Sequence, residues 1–243
     1  MEKVQLGSAY DKEGDGDIIQ KDRPTPRPRD AATLILVRRD QAQPRLLMGK
    51  RSGRHDFMPD KYVFPGGRVD AADGRVPSLS ELRGEVEQKL AHKTRRKPRA
   101  FGLTAIRETF EETGLIVGRA GQFPGTPASD WSKYAGQGAA PCLQGFTFIG
   151  RAITPPYRPK RFDARFFMAE AEDVLIDERP AVDGAELHDL QWVTLKDAMS
   201  LDLPNVTRFM IGEIDERLKQ KDPAAVRPPF LRWTPSGHSR DRI

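Results

Sequence analysis

The order of apolar and polar positions along the chain predicts short strands interspersed with amphipathic helices. Apolar runs bounded by turn residues are typical of strands, and they occur at residues 31–39, 45–51, 61–67, 142–154, 161–171 and 188–195. Apolar positions recur at helical spacing over residues 78–93, 98–113 and 205–220. Strands and helices mixed in this order predict an α/β fold in which a mixed sheet lies between helices.

Composition sets the expected domain boundaries. Residues 1–29 are rich in Asp, Lys, Gly and Pro and lack a periodic apolar pattern, which predicts a flexible N-terminal arm. Residues 30–222 form the predicted folded domain, with a Gly-, Pro- and Ser-rich loop at 118–141. Residues 223–243 return to Pro, Arg and Ser and are predicted to form a basic C-terminal tail.

The helix predicted at residues 78–93 belongs to a separate unit ahead of the next helix. Ser78 or Ser80 can cap its first turn. The apolar side of this helix consists of Leu79, Leu82, Val86 and Leu90.

The helix predicted at residues 98–113 carries three carboxylates within five positions. Pro98 suits its first turn, and Gly114 is placed as its C-terminal stop. Glu108, Glu111 and Glu112 lie at positions i, i+3 and i+4, so they share one face and repel one another. This pattern indicates that a cation sits in front of the face.

Hard divalent cations such as Mg²⁺ and Mn²⁺ prefer oxygen ligands, which three carboxylates provide. A glycine turn at Gly66 and Gly67 would let a backbone carbonyl approach the ion closely. Arg107 can pair with Glu111 or Asp73 and hold the acidic face together. The plainer alternatives are a surface salt bridge for Arg107 and an ordinary turn for the two glycines.

Two segments together resemble the Nudix box. They are FPGG at 64–67 and RETFEETGL at 107–115, and the resemblance extends over roughly residues 31–220. Three features depart from the family pattern: Asp73 replaces a Glu, Thr109 replaces an aliphatic residue, and residues 74–106 replace a seven-residue spacer. A long insertion here, with KRFDARFF at 160–167, resembles the branch of peroxisomal-type acyl-coenzyme A diphosphatases. The upstream coenzyme A signature is not met, since Asp56 and Asp60 stand where Arg and Gly are expected.

The resemblance implies a Nudix-type α/β/α sandwich with an extra helical insertion inside the box. It also implies a metal site in which Glu108 and Glu112 are the main ligands, and Glu111 is a third ligand or the base that activates water. Gly67 would add its backbone carbonyl, and Arg107 would complete the catalytic group. In MutT-type members an acid before a Trp joins the metal site, and Glu186 stands at a similar offset; the alternative for it is a solvated loop carboxylate.

Substrate-binding candidates lie in the loop at residues 155–161 and before FPGG. Tyr157 could stack on a base, and the loop's basic residues could hold phosphates; a basic surface turn is the alternative. We expect the insertion at 74–106 to pack beside the pocket and shape it. The remaining candidates are Arg158, Lys160 and Arg161 in the loop, and Arg51 and Phe57 before FPGG.

Charge and composition narrow the function classes. The net charge of +5 permits a nucleic-acid or a phosphorylated partner, but no nucleic-acid-binding signature occurs. No apolar run approaches a membrane span, and a single cysteine fits a reducing cytoplasm. We therefore expect a cytoplasmic, Mg²⁺- or Mn²⁺-dependent hydrolase that cleaves the diphosphate of a nucleoside diphosphate derivative, with no nucleic-acid or membrane partner. The alternatives are a non-catalytic metabolite sensor and an RNA 5′-end pyrophosphohydrolase; a homodimer stays open.

Overall fold

The structure of the protein, a computed structural model, describes residues 24–53, 58–234 and 237–243. The strands are β1 (Arg29–Arg38), β2 (Arg45–Arg51), β3 (Tyr62–Val63), β4 (Gly66–Arg68), β5 (Arg119–Ala120), β6 (Ala139–Ala140), β7 (Thr147–Ile153), β8 (Phe162–Glu170), β9 (Leu187–Thr194), β10 (Pro229–Thr234) and β11 (Gly237–Arg242). The helices are α1 (Gly84–Leu90), α2 (Pro98–Thr113), α3 (Ser132–Ala135), α4 (Ala171–Val174), α5 (Leu195–Ala198) and α6 (Asn205–Leu218). Single 3₁₀ turns lie at Asp73–Arg75 and Ser129–Trp131.

Nine of these strands form one mixed sheet, in the order β11–β10–β7–β8–β1–β2–β3, and β5 pairs separately with β6. The pairs β1–β8 and β7–β10 are parallel, and the other pairs in the sheet are antiparallel. Strand β4 also pairs with β1, and β9 pairs with β2. The predicted strand at 61–67 is split into β3 and β4 because Pro65, which lies between them, has no N–H to donate to a ladder.

Alternate side chains of the central strand β1 enter two separate cores. Leu34 and Leu36 pack toward α1 and α2 on one face, whereas Ile35 and Val37 pack toward α6 on the other. All four are fully buried. The sheet therefore lies between two helical layers, which confirms the predicted α/β/α sandwich.

Helix α2 has the predicted bounds at both ends. Pro98 occupies its first position, and Gly114 ends it with a φ of 72°. Only glycine adopts this conformation easily, and the Gly114 N–H donates to the carbonyl oxygen of Phe110 at 2.9 Å. The buried side of α2 fixes which face is left for the acids.

The helix predicted at 78–93 is shorter than expected. Only the residues of α1 are helical, and the first turn of α1 has no side-chain cap. Leu79, which was expected on the apolar side of this helix, is 54% exposed. Ser80 is engaged elsewhere, because its hydroxyl accepts from the backbone N–H groups of Leu143 and Gln144 at 3.0 and 3.1 Å. This pairing with a distant segment of the same chain keeps Ser80 out of the helix, which begins at Gly84.

Two segments expected to be irregular are structured. Residues 118–141 contain the β5–β6 hairpin and α3, and they fold around the buried rings of Trp131 and Tyr134, whose centroids lie 5.2 Å apart. The expected C-terminal tail forms the β10–β11 hairpin on the edge of β7, where Phe230 and Leu231 are buried. Of the predicted N-terminal arm, residues 1–23 lie outside the described residues.

Candidate active site

A glycine turn brings the backbone of β4 against helix α2. A Cβ atom on Gly67 would lie 2.4 Å from the carboxyl carbon of Glu108, and one on Gly66 would lie 2.5 Å from the carbonyl oxygen of Ala32. The Gly66 N–H donates to the Glu112 Oε2 atom at 2.8 Å. A side chain at Gly66 would therefore clash with the backbone of β1, and one at Gly67 would displace the Glu108 carboxylate from its place beside β4.

Arg107 organises the acidic face. Its Nη1 atom lies 2.9 Å from the Glu108 Oε1 atom and 3.0 Å from the Glu111 Oε2 atom. Its Nε and Nη2 atoms donate to the two carboxylate oxygens of Asp73 at 3.1 and 3.0 Å. Both predicted partners of Arg107 are thus present. Only 5% of Arg107 is exposed, so the alternative interpretation of Arg107 as part of a surface salt bridge is wrong.

Asp73 is the buried anchor of this arrangement. It is 1% exposed and accepts further hydrogen bonds from the Thr104 hydroxyl at 2.7 Å and the Asp70 backbone N–H at 3.0 Å. Burial alone raises its pKa, but the hydrogen bonds and charge of Arg107 hold the pKa of Asp73 below its usual value. Asp73 therefore stays ionised and fixes the guanidinium in place.

The pKa values of the acids on α2 are strongly shifted. Burial, with smaller contributions from Glu111 and Glu186, raises the pKa of Glu108 to about 7 despite the opposing charge of Arg107. Burial and the charge of Glu108 raise the pKa of Glu112 well above its usual value. Burial also raises the pKa of Glu111, although 42% of its side chain is exposed. These groups would ionise more readily beside a positive charge.

The donor chemistry at this place fits a hard divalent cation, since it offers carboxylate oxygens beside a backbone strand that carries no side chain. Within the described ranges, however, no three His, Cys, Asp or Glu side chains are arranged closely enough to hold a metal ion as they stand. The contacts explain this, because Arg107 binds Glu108 and Glu111, while Glu112 accepts from Gly66. The ligand set therefore stays a prediction.

Glu186 lies on an exposed stretch before β9, and its backbone carbonyl accepts from the Ser52 N–H at 3.0 Å. Its charge raises the pKa of both Glu108 and Glu112 and opposes the lowering of the Arg51 pKa by burial. Glu186 is thus close enough to Glu108 and Glu112 for its charge to act on them.

A cleft on the α6 face of the sheet opens at the same glycine turn. Its empty volume, including the mouth open to solvent, is about 1190 Å³. Most of its lining is apolar. The lining residues include Arg51, Phe64, Gly66 and Gly67 near the acids, Ala31, Thr33, Ala152, Ala164 and Phe166 on the sheet, Asn205, Val206 and Thr207 on α6, and Tyr157, Arg158 and Leu231.

The structure separates the predicted substrate-binding residues into two groups. Arg51, Tyr157 and Arg158 line the cleft. Lys160 and Arg161 do not; Lys160 is exposed, and the guanidinium of Arg161 donates to the carbonyl oxygens of Thr154 and Pro26, at 2.9 Å each. Arg161 therefore closes its own loop rather than facing a ligand. Phe57 and Asp56 lie outside the described residues.

The insertion does not have the expected position. No residue between 74 and 106 lines the cleft. Its buried side chains, Val86 and Leu90 among them, belong to the core on the opposite face of the sheet. The expectation that the insertion shapes the cleft is therefore wrong for the described part of the chain, because the sheet lies between the two.

Sequence reasoning missed several residues around the site. The Trp131 indole N–H points at the Asp73 Oδ1 atom at 3.4 Å, and Asn205, Thr207 and Leu231 line the cleft. Trp131 sits in a segment whose composition indicated a loop, and a lone Trp there was the only available signal. The others carry no local motif, because the sheet alone brings them together.

Comparisons with known proteins agree with the fold and the motif. A Nudix hydrolase from Alicyclobacillus acidocaldarius has a similar structure, with a TM-score of 0.60 and 28% identity over 76% of this chain and 90% of that chain. A Caenorhabditis elegans protein named nudix hydrolase 7 is 27% identical over 184 residues, covering 70% of this chain and 53% of its own. The acyl-coenzyme A diphosphatase NUDT19 of Gallus gallus is 28% identical over 191 residues, covering 51% of this chain and 47% of its own. No protein-family model matches the chain.

The chain spans about half the length of the curated relatives it matches. Among the described residues, every helix is too short or too polar to cross a lipid bilayer.

Proposed function

Since the chain is similar in sequence and fold to Nudix hydrolases, we propose that it hydrolyses the diphosphate linkage of a nucleoside diphosphate joined to a second moiety. That moiety could be the rest of coenzyme A or an acyl-coenzyme A, a ribose, a second nucleoside or a sugar. The observation that carries the proposal is the contact of Arg107 with Glu108 and Glu111, beside a glycine turn that opens into the cleft.

We assign the residues as follows. Glu108, Glu111, Glu112 and the carbonyl of Gly67 would hold Mg²⁺ or Mn²⁺, with Glu186 as a further oxygen donor. When bound, such an ion neutralises phosphate charge and lowers the pKa of a coordinated water.

The surrounding residues orient the reactants. Arg107, fixed by Asp73, keeps the carboxylates of Glu108 and Glu111 on the side of α2 that faces β4. Glu111 has the most solvent-exposed of the three carboxylates and is therefore open to the attacking water. Arg51 lines the cleft beside Gly66 and Gly67, where its guanidinium would hold a phosphate oxygen.

A substrate panel tests the proposal. The purified chain is incubated with Mg²⁺ or Mn²⁺ and with ADP-ribose, a dinucleotide, coenzyme A, an acyl-coenzyme A and a nucleotide sugar, and the products are scored as two phosphate monoesters. We expect turnover of at least one compound, and a loss on the order of 10²-fold or more in Glu112→Gln.

The matched control is Glu216→Gln, which makes the same change on an exposed part of α6 and should leave turnover intact. Wild-type turnover in Glu112→Gln would refute the assignment of the acids. Tight binding of a panel compound without any turnover would favour the sensor instead.

A further inference from the structure

The C-terminal hairpin supplies the end of the cleft that lies farthest from the acids. Strand β10 runs parallel to β7, with Leu231 opposite Ala152 in the register. Ala152 in turn lies opposite Ala164 on β8, and Ala164 lies opposite Ala31 on β1. All four side chains line the cleft, so its floor is a row that crosses neighbouring strands and ends on the hairpin.

The register also gives the length of this floor. From β4, which carries the glycine turn, to β10 there are four steps between adjacent strands: β4–β1, β1–β8, β8–β7 and β7–β10. Adjacent strands lie about 4.8 Å apart, so the floor is about 19 Å long. A diphosphate at the glycine turn occupies only one end, and the rest is available to the group attached to it.

An aromatic pair stands at the far end. Trp233 follows Leu231 by two residues on β10, so both lie on the same face of the sheet. The Trp233 ring packs edge to face against Tyr157, a residue of the cleft lining, with centroids 5.5 Å apart and an interplanar angle of 88°. Trp233 is 36% exposed and lies just outside the lining itself, so a group that extends past Tyr157 would meet it.

The hairpin is fastened to α6, which forms another wall of the cleft. Glu213 on α6 is 6% exposed and accepts hydrogen bonds from the guanidinium groups of Arg240 and Arg242, the latter at 2.9 and 3.2 Å. The Arg240 guanidinium also lies over the Phe209 ring, 4.9 Å from its centroid. These contacts hold Trp233 at a defined position beside the cleft.

We propose that Trp233 determines specificity by packing against the distal end of the substrate's second moiety, and that this moiety is elongated and apolar. The inference rests on the proposed function. The row of alanines and Leu231 is apolar along the length of the floor, and polar lining residues such as Asn205 and Arg232 do not belong to it. Hydroxyl groups placed over this row would lose water without gaining a hydrogen bond from it. An apolar chain loses nothing there and gains contact with an aromatic ring.

Two esters of adenosine diphosphate, one with methanol and one with octanol, test this proposal. They contain the same diphosphate bond and differ only in the length of the apolar group. In Trp233→Ala we expect KM for the octyl ester to rise about three- to tenfold, the usual scale of an aromatic contact, with kcat unchanged. KM for the methyl ester should not change, and Trp233→Phe should restore the octyl value.

Arg240→Lys is the matched control. It loosens the contact between the hairpin and Glu213 without changing the aromatic pair or any residue that lines the cleft. If it raised the octyl KM as much as Trp233→Ala does, hairpin stability rather than Trp233 would be responsible, and the inference would fail. An unchanged octyl KM in Trp233→Ala would also overturn it.

Binding separates this inference from the proposed function. Calorimetry with methylene-bridged analogues of the two esters measures affinity without any turnover. If neither ester is hydrolysed, the proposed function fails for these compounds, but weaker binding of the octyl analogue by Trp233→Ala would still support the role of Trp233. Equal binding by both proteins would reject that role.

Discussion

Replacing Arg107 by Met would remove the charge that holds the acidic face together while keeping most of the side-chain length. In the folded protein Arg107 is 5% exposed and contacts Asp73, Glu108 and Glu111. The substitution leaves Asp73, at 1% exposure, as an uncompensated buried carboxylate. The remaining acids would also lose their shared counter-charge.

The expected loss of stability follows from this burial. Removing one partner of a buried ion pair costs about 3–5 kcal/mol, a large part of the roughly 5–15 kcal/mol by which domains are stable. For a chain of this size 1 kcal/mol corresponds to about 2–4 °C. The melting temperature of Arg107→Met should therefore fall on the order of 10 °C.

Urea and thermal unfolding without divalent cation measure the change. Arg179→Met is the matched control, because Arg179 pairs with Asp177 at 2.6 Å on the surface, where both side chains are at least one-third exposed. Such a pair contributes about 0–1 kcal/mol. Adding Asp73→Asn to Arg107→Met should recover part of the loss, since the buried group is then neutral. A loss in Arg107→Met no larger than in Arg179→Met would refute the view that this cluster is a buried structural unit.

Three further predictions concern the acids themselves. Gly67→Ala should abolish turnover but keep the fold, because the new Cβ would displace the Glu108 carboxyl group. Circular dichroism and an activity assay measure the two effects. In the control Gly84→Ala the new Cβ meets nothing within 4 Å, so fold and turnover should both be unchanged. Millimolar Mg²⁺ or Mn²⁺ should raise the melting temperature. The double variant Glu108→Gln, Glu112→Gln should show a smaller rise and should be no less stable than wild type in chelator. An unchanged rise would show that the cation binds elsewhere. In chelator, wild-type stability should fall as pH rises from about 4.5 through about 7, because the folded state keeps a proton on Glu108 that the unfolded chain has released. Melting scans over this pH range measure the effect. The melting temperature of the double variant should fall less steeply with pH, and an equally steep fall would contradict the prediction.

The sequence by itself determined the elements whose signals are local. Pro98 and Gly114 mark the ends of α2 through backbone constraints that need no distant partner. The 3.6-residue period placed Glu108, Glu111 and Glu112 toward one side, and the FPGG segment identified the turn that faces them. The order of strands and helices also predicted a mixed sheet between helices.

Only the tertiary structure decided what depends on contacts between distant residues. Pairing with residues 143 and 144 shortened α1, and the edge of β7 turned an expected tail into a hairpin. Burial made Arg107 a central counter-charge, and hydrogen bonds to the carbonyl oxygens of Thr154 and Pro26 directed Arg161 away from the cleft. The cleft itself is assembled from strands far apart in the chain, and a period along the sequence reports which face a residue occupies, not which strand lies beside it.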